Sequence, residues 1–209
     1  MRKTVLCYHA VSPTWEHRLS LSLELLLRQV RAVRRLGPVH VTFDDAFRSI
    51  EPAVDAVLAE GLPVTIFACS GFADQGGTPL TIPELEGDDP EQLSTMAWDD
   101  LRRLKQRGAR VQAHSVSHPH LPVLSDGELE RELTESKRRV EEELGDECVD
   151  FAYPYGERDA RVRAAVRAAG YERAYALGAK RGDPYNIPRV DLYRRHGVVA
   201  TLLRVMLPR

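Results

Sequence analysis

Cysteine is scarce in this chain, limited to Cys7, Cys69 and Cys148. An odd, widely separated set with no C-x-x-C pair excludes a disulfide framework and a thiolate zinc knuckle. An excess of one charge is missing too: 29 Lys and Arg face 31 Asp and Glu, a formal net charge of -2. No electrostatic field therefore draws the protein to nucleic acid. The arginines are interleaved with glutamates, as in Glu128 to Glu143, which reads as a solvated helical face with i,i+4 pairs rather than a phosphate-binding stripe. No apolar run is long enough to span a bilayer, and Val5-Leu6-Cys7 after Arg2 and Lys3 is too short for a signal-peptide core. The expectation is a reducing, cytoplasmic location; export would need a leader that this sequence does not show. Internal repeats and linkers are also lacking, and at 209 residues with 43% hydrophobic content the chain fits one domain with a sizeable core. The sequence leaves the oligomeric state open.

Strand and helix signals alternate along the chain. Strands are predicted at Lys3 to His9, Val39 to Phe43, Pro63 to Ala68, Ala109 to Ala113, Val149 to Tyr153, Arg173 to Leu177 and Ile187 to Val190, about seven in all. Helical spacing runs through Leu21 to Leu36 and stops at Gly37, and through Ile50 to Leu58 and stops at Gly61. Ser125-Asp126-Gly127-Glu128 has the form of a capping box before a long charged helix, and Arg158 to Ala169 ends at Gly170. Such alternation points to an α/β fold with one parallel sheet, closed or nearly closed. The stretch Gly71 to Thr95, with Gly76-Gly77, Pro79, Pro83 and Asp88-Asp89-Pro90, breaks the rhythm. It reads either as a lid or substrate-contacting insertion, or as a tolerated surface loop.

Two short motifs carry chemistry. Asp44-Asp45 follows Val39 to Phe43, and His114-Ser115-Val116-Ser117-His118 follows Arg110 to Ala113, so both sit where a predicted strand ends. In a parallel βα architecture that edge collects ligands and catalytic groups. One carboxylate and two imidazoles suit a divalent metal, leaving the other carboxylate free as a base, which is the equipment of a metal-assisted hydrolase. Alone, each motif has a plainer reading: an acidic pair often caps a helix, and two histidines at i and i+4 share a helical face that is commonly unliganded. Strand geometry sends neighbouring carboxylates to opposite faces, but a turn at the strand end lets both border one pocket.

Thr42-Phe43-Asp44-Asp45, His114-Ser115-Val116-Ser117-His118-Pro119 and Phe151-Ala152-Tyr153-Pro154-Tyr155-Gly156 resemble, in order and spacing, the first three motifs of the polysaccharide deacetylases, the NodB-homology fold of carbohydrate esterase family 4. The resemblance covers most of the chain and implies that residues 1–209 form one such domain, a distorted (β/α) barrel of about seven parallel strands. It also implies that Asp45, His114 and His118 bind the metal while Asp44 is the general base. The family's late Leu-x-His strand, whose histidine protonates the departing amine, has no match near this C-terminus, where His196 lies in Arg194-Arg195-His196-Gly197 and looks like a loop or helix-start residue. The chain begins instead with Leu6-Cys7-Tyr8-His9, which resembles the circularly permuted branch that includes deacetylases of poly-N-acetylglucosamine exopolysaccharide. In a closed barrel the first and last strands are neighbours, and His9 is accordingly assigned as the general acid.

The chain also departs from the family pattern. The third motif often carries an arginine that orients the base, and Phe151-Ala152-Tyr153-Pro154 has none. Arg189, at the end of another predicted strand, is the candidate replacement, with a surface salt bridge as its plainer reading. Ala46 stands where a glycine usually follows the Asp pair, which is tolerated if the local φ is negative. The resemblance gives the Tyr155 backbone N–H an oxyanion-stabilising role; its ring either stacks on a sugar or only packs. His120 is read as structural.

These observations lead to the expectation of a metal-dependent N-deacetylase acting on an N-acetylated amino sugar. Zinc is the default for a His2Asp set, though cobalt, nickel or iron suit the same donors. The alternatives are a small-molecule deacylase on a nucleotide-linked or lipid-linked sugar or a secondary metabolite, and a catalytically silent glycan-binding domain.

Overall fold

The seven apolar runs form the staves of one closed parallel barrel in the computed structural model, which describes residues 3–179 and 182–207. In chain order the strands are β1 (Thr4–Tyr8), the short pair β2 (Ala10–Val11) and β3 (Ser20–Leu21), then β4 (Val39–Phe43), β5 (Val64–Ala68), β6 (Arg110–Ala113), β7 (Asp150–Ala152), β8 (Arg173–Leu177) and β9 (Ile187–Asp191). The barrel order is β1-β4-β5-β6-β7-β8-β9. β1 closes it by pairing with both β4 and β9, with Leu6 opposite Val190 and Cys7 opposite Asp191. A residue just past β1 therefore reaches the same mouth as one at the end of β9.

Side chains alternate across the barrel wall. Leu6, Val41, Ile66, Val111, Phe151 and Ala174 face outward into the main core, while Val5, Phe67, Ala152 and Tyr175 form a separate inner cluster with Ile187. This inner plug fills the barrel, and removing a fully buried aromatic such as Phe67 would cost about 3–5 kcal/mol. Polar inward positions flank this cluster at both ends: His40, Thr65 and Asp150 lie towards the N-terminal ends of the strands, and Asp44, His114 and Arg189 lie towards or just past the C-terminal ends, where the site begins.

The helices are α1 (Leu23–Arg34), α2 (Glu51–Ala59), α3 (Ser70–Asp74), α4 (Pro90–Leu93), α5 (Trp98–Gln106), α6 (Asp126–Leu144), α7 (Ala160–Ala168) and α8 (Val198–Met206). α6 starts with the expected capping box, in which Ser125 accepts from the Glu128 backbone and the Glu128 carboxylate from the Ser125 backbone, and stops at Gly145 with φ 69°. Leu129, Leu133, Val140 and Leu144 bury one face of it, while Arg138–Glu142 and Arg139–Glu143 lie on the other side as exposed or half-exposed i,i+4 pairs. Among the described residues no helix is long and apolar enough to cross a membrane.

Four helices lie outside the sequence-based expectation: α3 and α4, in or beside the stretch that breaks the rhythm, and α5 and α8. α5 shows only Trp98, Leu101 and Leu104 as an apolar face in a short, heavily charged segment, and α8 is a nine-residue run in which Thr201 and Arg204 are the polar positions. The stretch from Gly71 to Thr95 is neither featureless nor remote. It holds most of α3, a 3-10 turn at Pro83–Leu85 and α4, and it is pinned by Trp15 Nε1 to Asp88 at 2.9 Å and Trp98 Nε1 to Asp74 at 2.7 Å.

Candidate active site

β4, β6 and β7 all give way to strained backbone at the same end of the barrel. Among the described residues, the non-glycine positions with positive φ are Asp45 (66°), Ala46 (53°), Ser115 (70°), His118 (58°) and Tyr155 (57°), all just past those strands. The left-handed conformation costs an L-residue about 1–2 kcal/mol, and such strain gathers where a site is held in shape. At the Asp pair it separates two neighbours. Asp44, one residue past β4, is still tied to the sheet, its N–H donating to Tyr8 O at 2.9 Å, while Asp45 turns towards the histidines.

The histidines meet by a different route from the helical one. Residues 114–120 form an irregular loop rather than a helix, so the i,i+4 face does not exist. Turns at Ser115 and His118 bring the rings together, and the Ser115 hydroxyl accepts the His118 N–H at 3.0 Å. The Glu132 carboxylate accepts the backbone N–H groups of Val116 and Ser117 at 2.8 and 3.0 Å and the Ser117 hydroxyl at 2.7 Å. Gly71 packs so closely that a Cβ there would lie 2.8 Å from Val116 O.

The resulting trio fits a divalent cation. Asp45 Oδ1 lies 3.5 Å from His114 Nε2 and 3.2 Å from His118 Nε2, and all three residues are buried. That oxygen has no hydrogen-bond partner. His114 Nδ1 is 2.7 Å from Ala152 O, so it must donate, which leaves the Nε2 lone pair facing Asp45. Burial pushes both imidazoles down to about 4 and raises the Asp45 carboxyl, so at neutral pH the rings are in their uncharged, ligating form. A desolvated carboxylate facing two lone pairs is costly unless a cation lies among them.

Cys7, His9 and Asp44 also bring donor atoms within 4.8 Å of one another. Charge rules that group out as a cation site. Arg189 grips Asp44 with both arms, Nη1 to Oδ1 and Nη2 to Oδ2 at 2.6 Å each, while the Cys7 thiol donates to Oδ2 at 3.4 Å. A fixed guanidinium at that distance repels a second ion. Arg189 also donates to the Thr42 hydroxyl at 3.2 Å and lies 5.4 Å from the Phe67 ring centre. Burial alone would raise the Asp44 carboxyl, but the charge and hydrogen bonds of Arg189 outweigh it and hold Asp44 well below the usual carboxylate range. The two adjacent aspartates thus have separate environments, Asp45 beside the imidazoles and Asp44 on the arginine.

His9, just past β1, borders Asp44 and stacks on Tyr193 with ring centres 6.1 Å apart. Tyr155 sits in the 3-10 turn Pro154–Gly156. Its ring meets the His118 edge at 4.5 Å and lies flat on His120 at 3.9 Å, and its hydroxyl donates to Glu84 at 3.2 Å. His120 is held between Glu157 and Glu84 at 2.9 and 3.5 Å, so the stretch 71–95 reaches the mouth through Glu84.

Sequence reasoning passed over Glu132, Cys7, Tyr193 and Glu84. Glu132 did leave a mark, since it interrupts the apolar face between Leu129 and Leu133. Cys7 shares the inward face of β1 with His9, two residues on. The other two carry no local pattern.

Ala46 corrects an expectation, for its φ of 53° is positive where tolerance was argued from a negative one. The strain is borne in place, in a buried turn whose Ala46 carbonyl accepts the Met96 N–H at 2.9 Å. Ala46→Gly should be near neutral in stability. Relief of about 1–2 kcal/mol offsets roughly 0.8 kcal/mol of lost methyl burial and about 0.4–1 kcal/mol of added freedom in the unfolded chain. Denaturant titration showing a loss above about 2 kcal/mol, the low end for cavity-forming changes, would contradict this balance.

Residues 34–174 match a family model described as polysaccharide deacetylase. Among solved structures, the Streptococcus pyogenes deacetylase PplD in complex with acetate is similar at a TM-score of 0.80 and 17% identity, over 100% of this chain and 99% of that one. A de-N-acetylase from Aggregatibacter actinomycetemcomitans gives 0.79 and 17%, over 95% and 97%. BC0361, a polysaccharide deacetylase from Bacillus cereus, gives 0.75 and 18%, over 97% and 68%. At these identities the likeness is one of fold.

Proposed function

The chain belongs to the polysaccharide deacetylase family, and from that premise we propose that it is a metal-dependent N-deacetylase hydrolysing the acetamido group of an amino sugar. The observation that carries the reading is the pairing of two unlike carboxylates in one mouth, Asp45 against His114 and His118 and Asp44 against Arg189. Asp45, His114 and His118 would hold the ion, with zinc the default for this donor set and cobalt, nickel or iron compatible with it. When bound, the ion supplies Lewis-acid activation of water and of the amide carbonyl.

The chain's own groups do the rest. Asp44, kept ionised by Arg189, takes a proton from the attacking water, whose oxygen bonds to the acyl carbon. The Tyr155 backbone N–H, in a left-handed turn past β7, is the candidate donor to the developing oxyanion. His9 gives a proton to the nitrogen as the C–N bond breaks, releasing acetate and a free amine, and solvent exchange resets both groups. The acetate held by the S. pyogenes relative is consistent with this product.

The test is a mass-spectrometric screen of N-acetylated oligosaccharides against nucleotide-linked and lipid-linked amino sugars. Loss of about 42 mass units, an acetyl replaced by hydrogen, establishes the reaction, and the responding substrate separates glycan from small-molecule deacylation. Asp44→Asn should abolish that loss while the protein still binds metal. No mass change on any substrate with the metal-loaded protein would favour a silent binding domain.

A further inference from the structure

The turn after β9 holds an aromatic residue with no part in the chemistry above. Tyr193 is half-buried there, with its ring plane 20° from that of His9 and the ring centres 6.1 Å apart. The turn itself is well braced. His196 Nδ1 accepts the Tyr193 N–H at 3.0 Å, Gln29 from α1 donates to the His196 carbonyl, and the Arg195 guanidinium lies 5.5 Å from the Tyr193 ring centre.

His9 needs such a support. Its Nδ1 is buried and has no hydrogen-bond partner, so no acceptor sets the tilt of its ring as Ala152 O does for His114. A proton donor has to be aimed within about 10–20° to act. The stacked phenol is the ring that flanks this imidazole.

We propose that Tyr193 is a positioning residue for His9, its ring holding the imidazole in line with the departing nitrogen. This rests on the reading of His9 as the proton donor. The proton passes from His9 alone; Tyr193 gains and loses none.

The experiment compares Tyr193→Leu, Tyr193→Met and Tyr193→Phe with the parent protein on an N-acetylated oligosaccharide and on an activated acetyl ester, whose leaving group needs no proton. Metal content and thermal melting are followed for each. Leu and Met should lower kcat on the amide about tenfold, the size of a lost aromatic contact, and leave the ester rate and metal content unchanged; Phe should keep both activities. Equal losses on the two substrates would overturn the inference, as would a Phe variant as impaired as Leu. A rise in KM at constant kcat would also overturn it, by making Tyr193 a sugar contact. His9→Gln is the control. If it separates amide from ester and Tyr193→Leu does not, this inference alone fails; if His9→Gln separates nothing, the proton-donor reading fails with it.

Discussion

His114→Ala should leave the protein without stoichiometric divalent metal at neutral pH and reduce deacetylation by more than about a hundredfold. Loss of an outer hydrogen-bond partner already costs a metal site about 10–100-fold, and this substitution removes both a ligand and the ring that Ala152 O orients. His118→Ala should do the same from the other side of Asp45, whose Oδ1 lies 3.2 Å from His118 Nε2. Acidification should release the ion from the parent protein too, because protons compete for the imidazoles that ligate only when neutral. Elemental analysis of both variants beside Asp44→Asn is the measurement. The asparagine variant should hold metal and lack activity, and retention of full metal by both alanine variants would refute the proposed ligand set.

Why these groups were visible in the sequence, and others not, has a physical basis. The seven strands were legible because each is a short run closed by a turn, and His114 and the Asp44-Asp45 pair were legible because each follows such a run directly. Convergence of the two histidines in the structure does not use a helical face. It depends on left-handed turns at Ser115 and His118, and no local pattern marks a serine or histidine for positive φ. Arg189 could be picked out because a barrel brings strand ends together, so a cation at the end of β9 can face β1 and β4 across closure. Tyr193 and Glu84 reach the mouth from a turn and an irregular segment, where position depends on tertiary contacts that periodicity does not encode.

Arg189→Met should impair the enzyme without emptying its metal site, since Arg189 touches Asp44 and none of Asp45, His114 or His118. The buried carboxylate then loses two charged donors at 2.6 Å, and breaking a buried pair in this way costs about 3–5 kcal/mol. The sign of the pH effect follows from the direction of the Asp44 shift. In the parent protein Asp44 is held below its ordinary value, so its contribution to stability is present at neutral pH and is lost as pH falls through the folded-state pKa. In the variant the Arg189 guanidinium no longer offsets burial, so the carboxyl rises, folding favours its protonated form, and stability falls as pH rises above the unfolded value of about 3.9. The stability gap between the two proteins should therefore widen from pH 5 to pH 8, as measured by denaturant titration. The acidic limb of kcat/KM should move to higher pH because a protonated Asp44 cannot accept a proton from water, and the plateau should drop by about a hundredfold, comparable to losing a charge-stabilising donor. Arg189→Lys, which keeps the charge but not the two-armed grip, should restore the position of the limb better than the height of the plateau. A pH-independent stability gap together with an unmoved acidic limb would mean that Arg189 only packs the barrel, beside Phe67, and that Asp44 owes its ionisation to something else.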